Sequence, residues 1–301
     1  MDFFNQFLQQ LVNGLSLGGI YALIALGYTM VYGIVRLINF AHGEVLMLGA
    51  YAGYFVLTNS AELTPVTILL AFLLAMTLCA ILGVVIDFLA YRPLRNSPRI
   101  NSLITAIGLS ILIQNVVRVI PFMGPNPRVF PTLVSGQALQ LGGVSISAIQ
   151  LIVMAVSLSL MLVLTFVVDF TKTGKAMRAV SYDMKAASLM GISVNRIIAF
   201  TFALGSALAA AGGLLFAAAY PQIDPTMGTL PGLKAFVAAV LGGIGSIPGA
   251  MLGGILMGVA EALTKGFISS QLSDAVVFGI LIIILLVRPA GILGKNRKEK
   301  V

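Results

Sequence analysis

Charge is what this sequence has least of. Asp, Glu, Lys and Arg make up 9% of its 301 residues, where a water-soluble domain carries about a quarter. Cysteine occurs once, at Cys79. That excludes an intrachain disulfide and offers no metal-ligand spacing. Histidine also occurs once, at His42, and with one histidine and one cysteine the sequence shows no credible metal cluster or histidine-based triad. No G-x-x-x-x-G-K-[ST] phosphate loop is present. Gly174-Lys175 is followed by Ala176 and Gly294-Lys295 by Asn296. Serines such as Ser206 and Ser246 have no base at a readable spacing.

What is there is hydrocarbon. Hydrophobic residues make up 59% of the chain and the mean hydropathy is +1.04. A chain of this kind has a bilayer as its solvent. No stretch is polar and long enough for a separate soluble domain, so a single membrane domain is expected over residues 1–301. The opening MDFFNQFLQQ has no basic segment, so the first apolar run is expected to remain as a span. The net charge of +8 fits basic loops beside a membrane better than nucleic-acid binding.

A spanning helix needs roughly 20 mostly apolar residues. Leu8–Val35, Val66–Ala90, Ser102–Ile120, Ile149–Val168, Ile197–Tyr220 and Val276–Val287 with its flanks meet that need. Two more runs are broken. Phe40–Leu57 opens on the polar RLINFAHGE, and Ala235–Leu263 is interrupted by GGIGSIPG. Three basic clusters assign the sides. They are Arg92, Arg95 and Arg99; Lys172, Lys175, Arg178, Lys185 and Arg196; and Arg288, Lys295, Arg297, Lys298 and Lys300. Loops rich in Lys and Arg stay cytoplasmic. The Pro/Gly-rich PFMGPNPRVFPTLVSG and YPQIDPTMGTLPG then fall on the far side, and an outside N-terminus with a cytoplasmic C-terminus is expected.

Parity exposes a conflict. Between the second and third clusters lie three apolar segments, and three passes cannot return to the starting side. Either Ala235–Leu263 enters and leaves by itself, as a re-entrant pair or two short segments, or one loop is on the other side. Irregular backbone at that depth must be buried in protein or line a wet cavity.

Glycines recur at fours: Gly14 and Gly18; Gly245, Gly249 and Gly253; Gly254 and Gly258. Such ridges let helix backbones approach closely. For any one glycine this means packing. Together with Pro248, which is expected to kink or end a helix, broken glycine-rich helices at bilayer depth point to a transport pathway. The elements concerned are Gly242, Gly243, Gly245, Ser246 and Pro248. In the front motif, Asn39 is expected to N-cap a helix starting near Phe40. His42, Gly43 and Glu44 would occupy its first turns, where the helix dipole favours a carboxylate. This group serves either capping or the lining of a pathway.

Thr171–Ile197 is the most polar stretch of any length. Its spacing of Ala, Leu and Met predicts a short amphipathic helix or helix pair at the membrane surface, stopped at Gly191. It is either a plain connecting loop or a docking element for a partner. The remaining intramembrane charges are Asp87 and Glu261, with Lys234 and Arg118 near apolar runs; such groups face a bundle interior or an aqueous path. Asp87, five residues before Arg92 at a helix end, is expected near the interface. Buried acids also serve ion-coupled carriers, so these residues leave three classes open: a pump-linked permease, a secondary carrier, and an intramembrane enzyme.

Three motifs narrow this. INFAHGEVLMLGAY after GGIYALIALGYTMVYGI, then LKAFVAAVLGGIGSIPGAMLGGILMGVAEAL, then LLVRPAGILG together resemble the H-type membrane permease subunit of the branched-chain amino acid ABC importer family. The resemblance runs from about Leu8 to Gly294. It implies an all-α polytopic integral membrane protein of about eight transmembrane helices with broken or re-entrant segments. It implies pairing with a homologous M-type permease, two ATP-binding subunits on the cytoplasmic side and a periplasmic substrate-binding protein. It also implies residence in the bacterial inner membrane, with leucine, isoleucine or valine as cargo. Related permeases of the superfamily carry urea or short amides. ATP and Mg would be used by the partner subunits, with no cofactor or metal bound by this chain and no enzyme activity of its own. KAASLMG resembles the loop by which such permeases dock their ATPase, placing Lys185, Ala186, Ala187 and Gly191 in a coupling loop at about 171–196. Lys185 stands where that pattern has an acid.

Overall fold

A computed structural model describes residues 3–95, 97–134 and 136–294. The basic tail from Lys295 to Lys300 lies outside the described residues. Among the described residues the chain forms eleven α-helices and four short strands. α1 (Phe3–Val35) has 33 residues, about 50 Å at 1.5 Å per residue. That exceeds the roughly 30 Å of a hydrocarbon core, so α1 projects beyond it. α2 (His42–Thr58) is short; α3 (Pro65–Ile86) continues through a π-helical turn (Asp87–Tyr91) and a 3₁₀ turn (Arg92–Leu94). α4 (Arg99–Val119) and α5 (Ala148–Phe170) follow. α6 (Lys172–Tyr182) and α7 (Met184–Leu189) lie in the polar loop, and α8 is Val194–Ala219. α9 (Thr229–Gly242), α10 (Ile247–Phe267) and α11 (Ser273–Val287) complete the bundle.

Six helices are long and apolar enough to cross a membrane. They divide into two kinds. The most apolar windows of α1, α8 and α10 are 83%, 67% and 50% buried inside the protein, against 22%, 17% and 28% for α3, α4 and α5. The first three form the centre, and the others offer Leu, Ile, Val and Phe outward. The centre is rich in small residues because lipid tails are as apolar as leucine. Only close packing favours helix against helix over helix against lipid. The two glycine ridges meet each other. A Cβ added at Gly18 would lie 2.7 Å from Ile255 Cα, and one at Gly14 would lie 2.6 Å from Val259 Cα.

Polar ties mark one end of the bundle. Gln9 of α1 donates to Ser145 O (3.0 Å) and accepts from Ser145 N–H (2.9 Å). Gln6 donates to Gly266 O at the end of α10 (3.1 Å). The hairpin β2 (Gln137–Leu141) and β3 (Val144–Ser147) sits here. β1 (Arg128–Val129) pairs antiparallel with β4 (Gln222–Ile223), joining the two Pro/Gly-rich connections. At the opposite end Gly33 of α1 approaches Gly245. Ile292 and Leu293 donate to Leu241 O and Gly242 O, both at 2.9 Å, so LLVRPAGILG closes the end of α9.

The parity conflict resolves inside Ala235–Leu263. The break lies at residues 243–246, between α9 and α10, with Gly243 at φ +106° and Gly245 at φ +91°. α9 begins earlier than expected, at Thr229, so TMGTLPG leads into a helix instead of remaining a far-side loop. Pro248 neither kinks nor ends a helix. It stands in the first turn of α10, where its missing N–H costs nothing, and Ser246 caps that helix by accepting from Gly249 N–H (3.2 Å).

Candidate translocation site and coupling surface

The chain reverses after α1 at Arg36, a non-glycine residue at φ +56°, and returns into the bundle. Asn39 does not cap the following helix. α2 starts at His42 with Ala41 as its N-cap. The Asn39 side-chain oxygen accepts from Ala41 N–H (3.1 Å) and from the Tyr91 hydroxyl (2.9 Å). Tyr91 belongs to the π-helical turn, so the re-entering segment is pinned to the end of α3.

α2 therefore begins deep in the protein. His42 packs edge-on to Tyr28 of α1, ring centroids 4.6 Å apart, and touches Gly27, which itself meets Gly205 near the middle of α8. α9 begins at the same depth, head to head with α2. A Cβ on Gly43 would stand 2.5 Å from Gly228 O, and one on Gly232 would stand 2.9 Å from Gly43 Cα. Only glycine permits this approach. Two short helices thus point their N-termini at one place inside the bundle, and their dipoles create positive potential there.

Glu44 occupies that place. It is 1% exposed. Its Oε1 accepts from Gln114 Nε2 (2.7 Å) and Ser110 Oγ (3.0 Å) of α4, and Gln114 Nε2 also reaches Thr229 Oγ1, at the first residue of α9 (3.1 Å). The carboxylate ties α2 to α4, and Gln114 carries the link on to α9. Its Oε2 and His42 Nε2 have no hydrogen-bond partner among the described residues. Thr29 Oγ1, Tyr51 Oη, Arg95 Nε, Ser102 Oγ and Ser157 Oγ share this state elsewhere in the protein, so what distinguishes Glu44 and His42 is their position where α2 and α9 meet. Ser110 and Gln114 were missed in the sequence, although a polar pair four apart on an apolar helix shares one face.

Glu261, Lys234 and Asp87 are paired. Glu261 Oε1 accepts from Lys234 and Lys265, both at 2.7 Å, and Oε2 accepts from Tyr21 (2.8 Å). Lys234 also meets Asp274 at 2.7 Å. This neutral network joins α1, α9, α10 and α11. Asp87 pairs with Arg95 at 2.6 Å, not with Arg92, and its side chain is 3% exposed. The π turn and the following 3₁₀ turn carry Arg95 back over it. Among the described residues no group of three His, Cys, Asp or Glu side chains could hold a metal.

The polar loop forms two helices. Asp183 caps α7 by accepting from Lys185 N–H (2.8 Å) and Ala186 N–H (3.0 Å). The acid two residues before Lys185 thus serves the helix start. α7 ends in a Schellman turn. Ile192 N–H donates to Ala187 O and Gly191 N–H to Ser188 O, with Gly191 at φ +81°. Ala187 is buried, while Leu189 and Met190 are 89% and 83% exposed. An exposed apolar tip on a rigidly capped helix can dock into a cleft of another protein.

Among the described residues, six helices long and apolar enough to span a bilayer, two opposed half-helices and a buried polar cluster where these meet fit a polytopic membrane transport protein. The family model described as "Branched-chain amino acid transport system / permease component" matches residues 10–286, and the chain belongs to that family. It is 47% identical to the high-affinity branched-chain amino acid transport system permease protein BraD of Pseudomonas aeruginosa, over 98% of both chains. It is 45% identical to the corresponding permease protein LivH of Escherichia coli, over 99% of both. The permease protein LivM of Escherichia coli is 33% identical over 42% of this chain and 29% of its own length.

Proposed function

We propose that this chain is one of two membrane-spanning permeases of an ATP-driven importer for leucine, isoleucine and valine. The reading is carried by the opposed half-helices closing on Glu44 in a chain of this permease family. The second permease is a homologous M-type chain, a pairing supported by the similarity to LivM. Asn39, His42, Gly43 and Glu44 line the path. Gly242, Gly243, Gly245, Ser246 and Pro248 form the turn that lets α9 return beside α10.

Two ATP-binding subunits dock on Lys185, Ala186, Ala187 and Gly191. The exposed Leu189 and Met190 supply the apolar contact. Those subunits bind ATP and Mg; this chain holds no cofactor or metal and catalyses no reaction. The basic end of the bundle, with the C-terminus, faces the cytoplasm of a bacterial inner membrane. A periplasmic binding protein delivers the amino acid to the other end.

Reconstitution tests the reading. Vesicles holding this chain, the second permease and the ATPase should take up leucine only with ATP and the binding protein. Uptake by the isolated chain under an ion gradient would make it a secondary carrier instead. Uptake of urea or a short amide in preference to leucine would overturn the substrate assignment alone.

A further inference from the structure

At the basic end of α3 a cavity of about 390 Å³ opens between the π turn and the start of α8. Its charge is unbalanced. Asp87 is committed to Arg95, which also donates to Asn195 Oδ1 (2.6 Å). Arg92 and Arg196 line the same space. Arg92 lies over the Phe88 ring, 5.5 Å from its centroid, and neither arginine has an acidic partner among the described residues. Two like charges in one cavity call for an anion. The guanidinium fork matches phosphate oxygens in pairs.

The rim of the cavity is apolar. Val84, Phe88 and Ala199 line it, and Val84 and Phe88 continue an outward face of α3 that includes Leu78 and Ile81, all exposed. A free phosphate would match the arginines and leave this rim unused. A molecule with an anionic phosphate head and hydrocarbon chains matches both. A cationic pocket between helix ends at a membrane surface is where such headgroups bind.

We infer that this cavity holds the headgroup of an anionic phospholipid, with Arg92 and Arg196 on its phosphate and its acyl chains along Val84 and Phe88. The ligand seals the α3–α8 seam at the start of α8. The site does not depend on which solute the protein carries.

Native mass spectrometry of the purified full chain tests this. Delipidated protein is titrated with phosphatidylglycerol or phosphatidylcholine of the same acyl composition. Phosphatidylglycerol should bind preferentially. Arg92→Gln with Arg196→Gln should lower that preference about thirtyfold, since each arginine at an anionic surface contributes about fivefold. Arg92→Lys with Arg196→Lys keeps the charge but not the paired contacts, so it should restore part of it. If the glutamine pair fails to fold, Val84→Trp, which fills the cavity from its apolar side, should abolish the preference. Equal binding of the two lipids, or an unchanged preference in the variants, overturns the inference. So does complete displacement by excess inorganic phosphate, which would make this a free-anion site. Normal lipid binding with weakened assembly of the ATP-binding subunits would assign the arginines to a protein partner and also overturns it.

Discussion

Replacing Gly18 with alanine drives a methyl group into the backbone of α10. The added Cβ would stand 2.7 Å from Ile255 Cα and 2.9 Å from Ile255 O, where ordinary contact begins at 3.4 Å. Neither obstacle is a side chain that can swing away, so α1 and α10 must part locally by about 0.7 Å, the difference between 3.4 and 2.7 Å. A gap of 0.5–1 Å forfeits about a quarter to a half of each dispersion contact across it. Overpacking of this kind costs about 1–3 kcal/mol, with no hydrophobic driving force in lipid to offset it. Gly279 of α11 is the control, because an added Cβ there meets nothing within 4 Å. Gly279→Ala should be neutral, or stabilising by up to about 1 kcal/mol through helix propensity. Unfolding of both variants in mixed micelles, followed by circular dichroism against denaturant, should separate them by about 1–4 kcal/mol. Equal stability of the two would refute the argument that backbone contact between the glycine ridges holds the centre together.

Lys234→Ala should destabilise the protein by about 1–3 kcal/mol, because it removes the buried charged donor shared by Glu261 and Asp274 while Glu261 keeps Lys265. Lys265→Ala should cost much less, since its side chain is 38% exposed and leaves Glu261 with Lys234; the same unfolding assay ranks them. Glu44→Gln keeps an acceptor for Ser110 and Gln114 but removes the charge; leucine uptake by the reconstituted complex should fall while assembly persists. Wild-type uptake in Glu44→Gln and in His42→Ala would leave both residues as structural caps. Gly191→Glu meets open space but keeps φ +81°, a left-handed strain of about 1–2 kcal/mol. Membrane insertion should be normal and capture of the ATP-binding subunits weakened, as read by co-purification.

Much of the architecture was legible because a bilayer leaves few options. The long apolar runs had to be helices, since no other open structure satisfies its backbone in lipid. The glycine spacing marked close helix contacts, and Gly191 marked the stop of α7. The loop Thr171–Ile197 was read as a short amphipathic helix or a helix pair, and it forms the pair α6 and α7. Positions governed by distant partners were not legible. Asn39 bonds Tyr91, fifty-two residues away, so its role as a helix cap could not be corrected from local spacing. Asp87 was placed near the interface from its position at a helix end, but its partner Arg95, eight residues on, was not named from the sequence. Pro248 was expected to interrupt a helix and in fact opens one, because the break lay a few residues earlier than the apolar run suggested.

By itself the sequence determined the solvent, the helical class, the ends that carry positive charge and, through three motifs, the family. Those properties depend on composition and on near neighbours along the chain. Tertiary structure alone decided that α2 and α9 start at one depth and meet at Gly43 and Gly228. It alone placed Ser110, Gln114 and Thr229 around Glu44, and Lys234 and Lys265 on Glu261. The physical reason is that half-helices and buried charges are stable only against partners that folding brings from elsewhere in the chain.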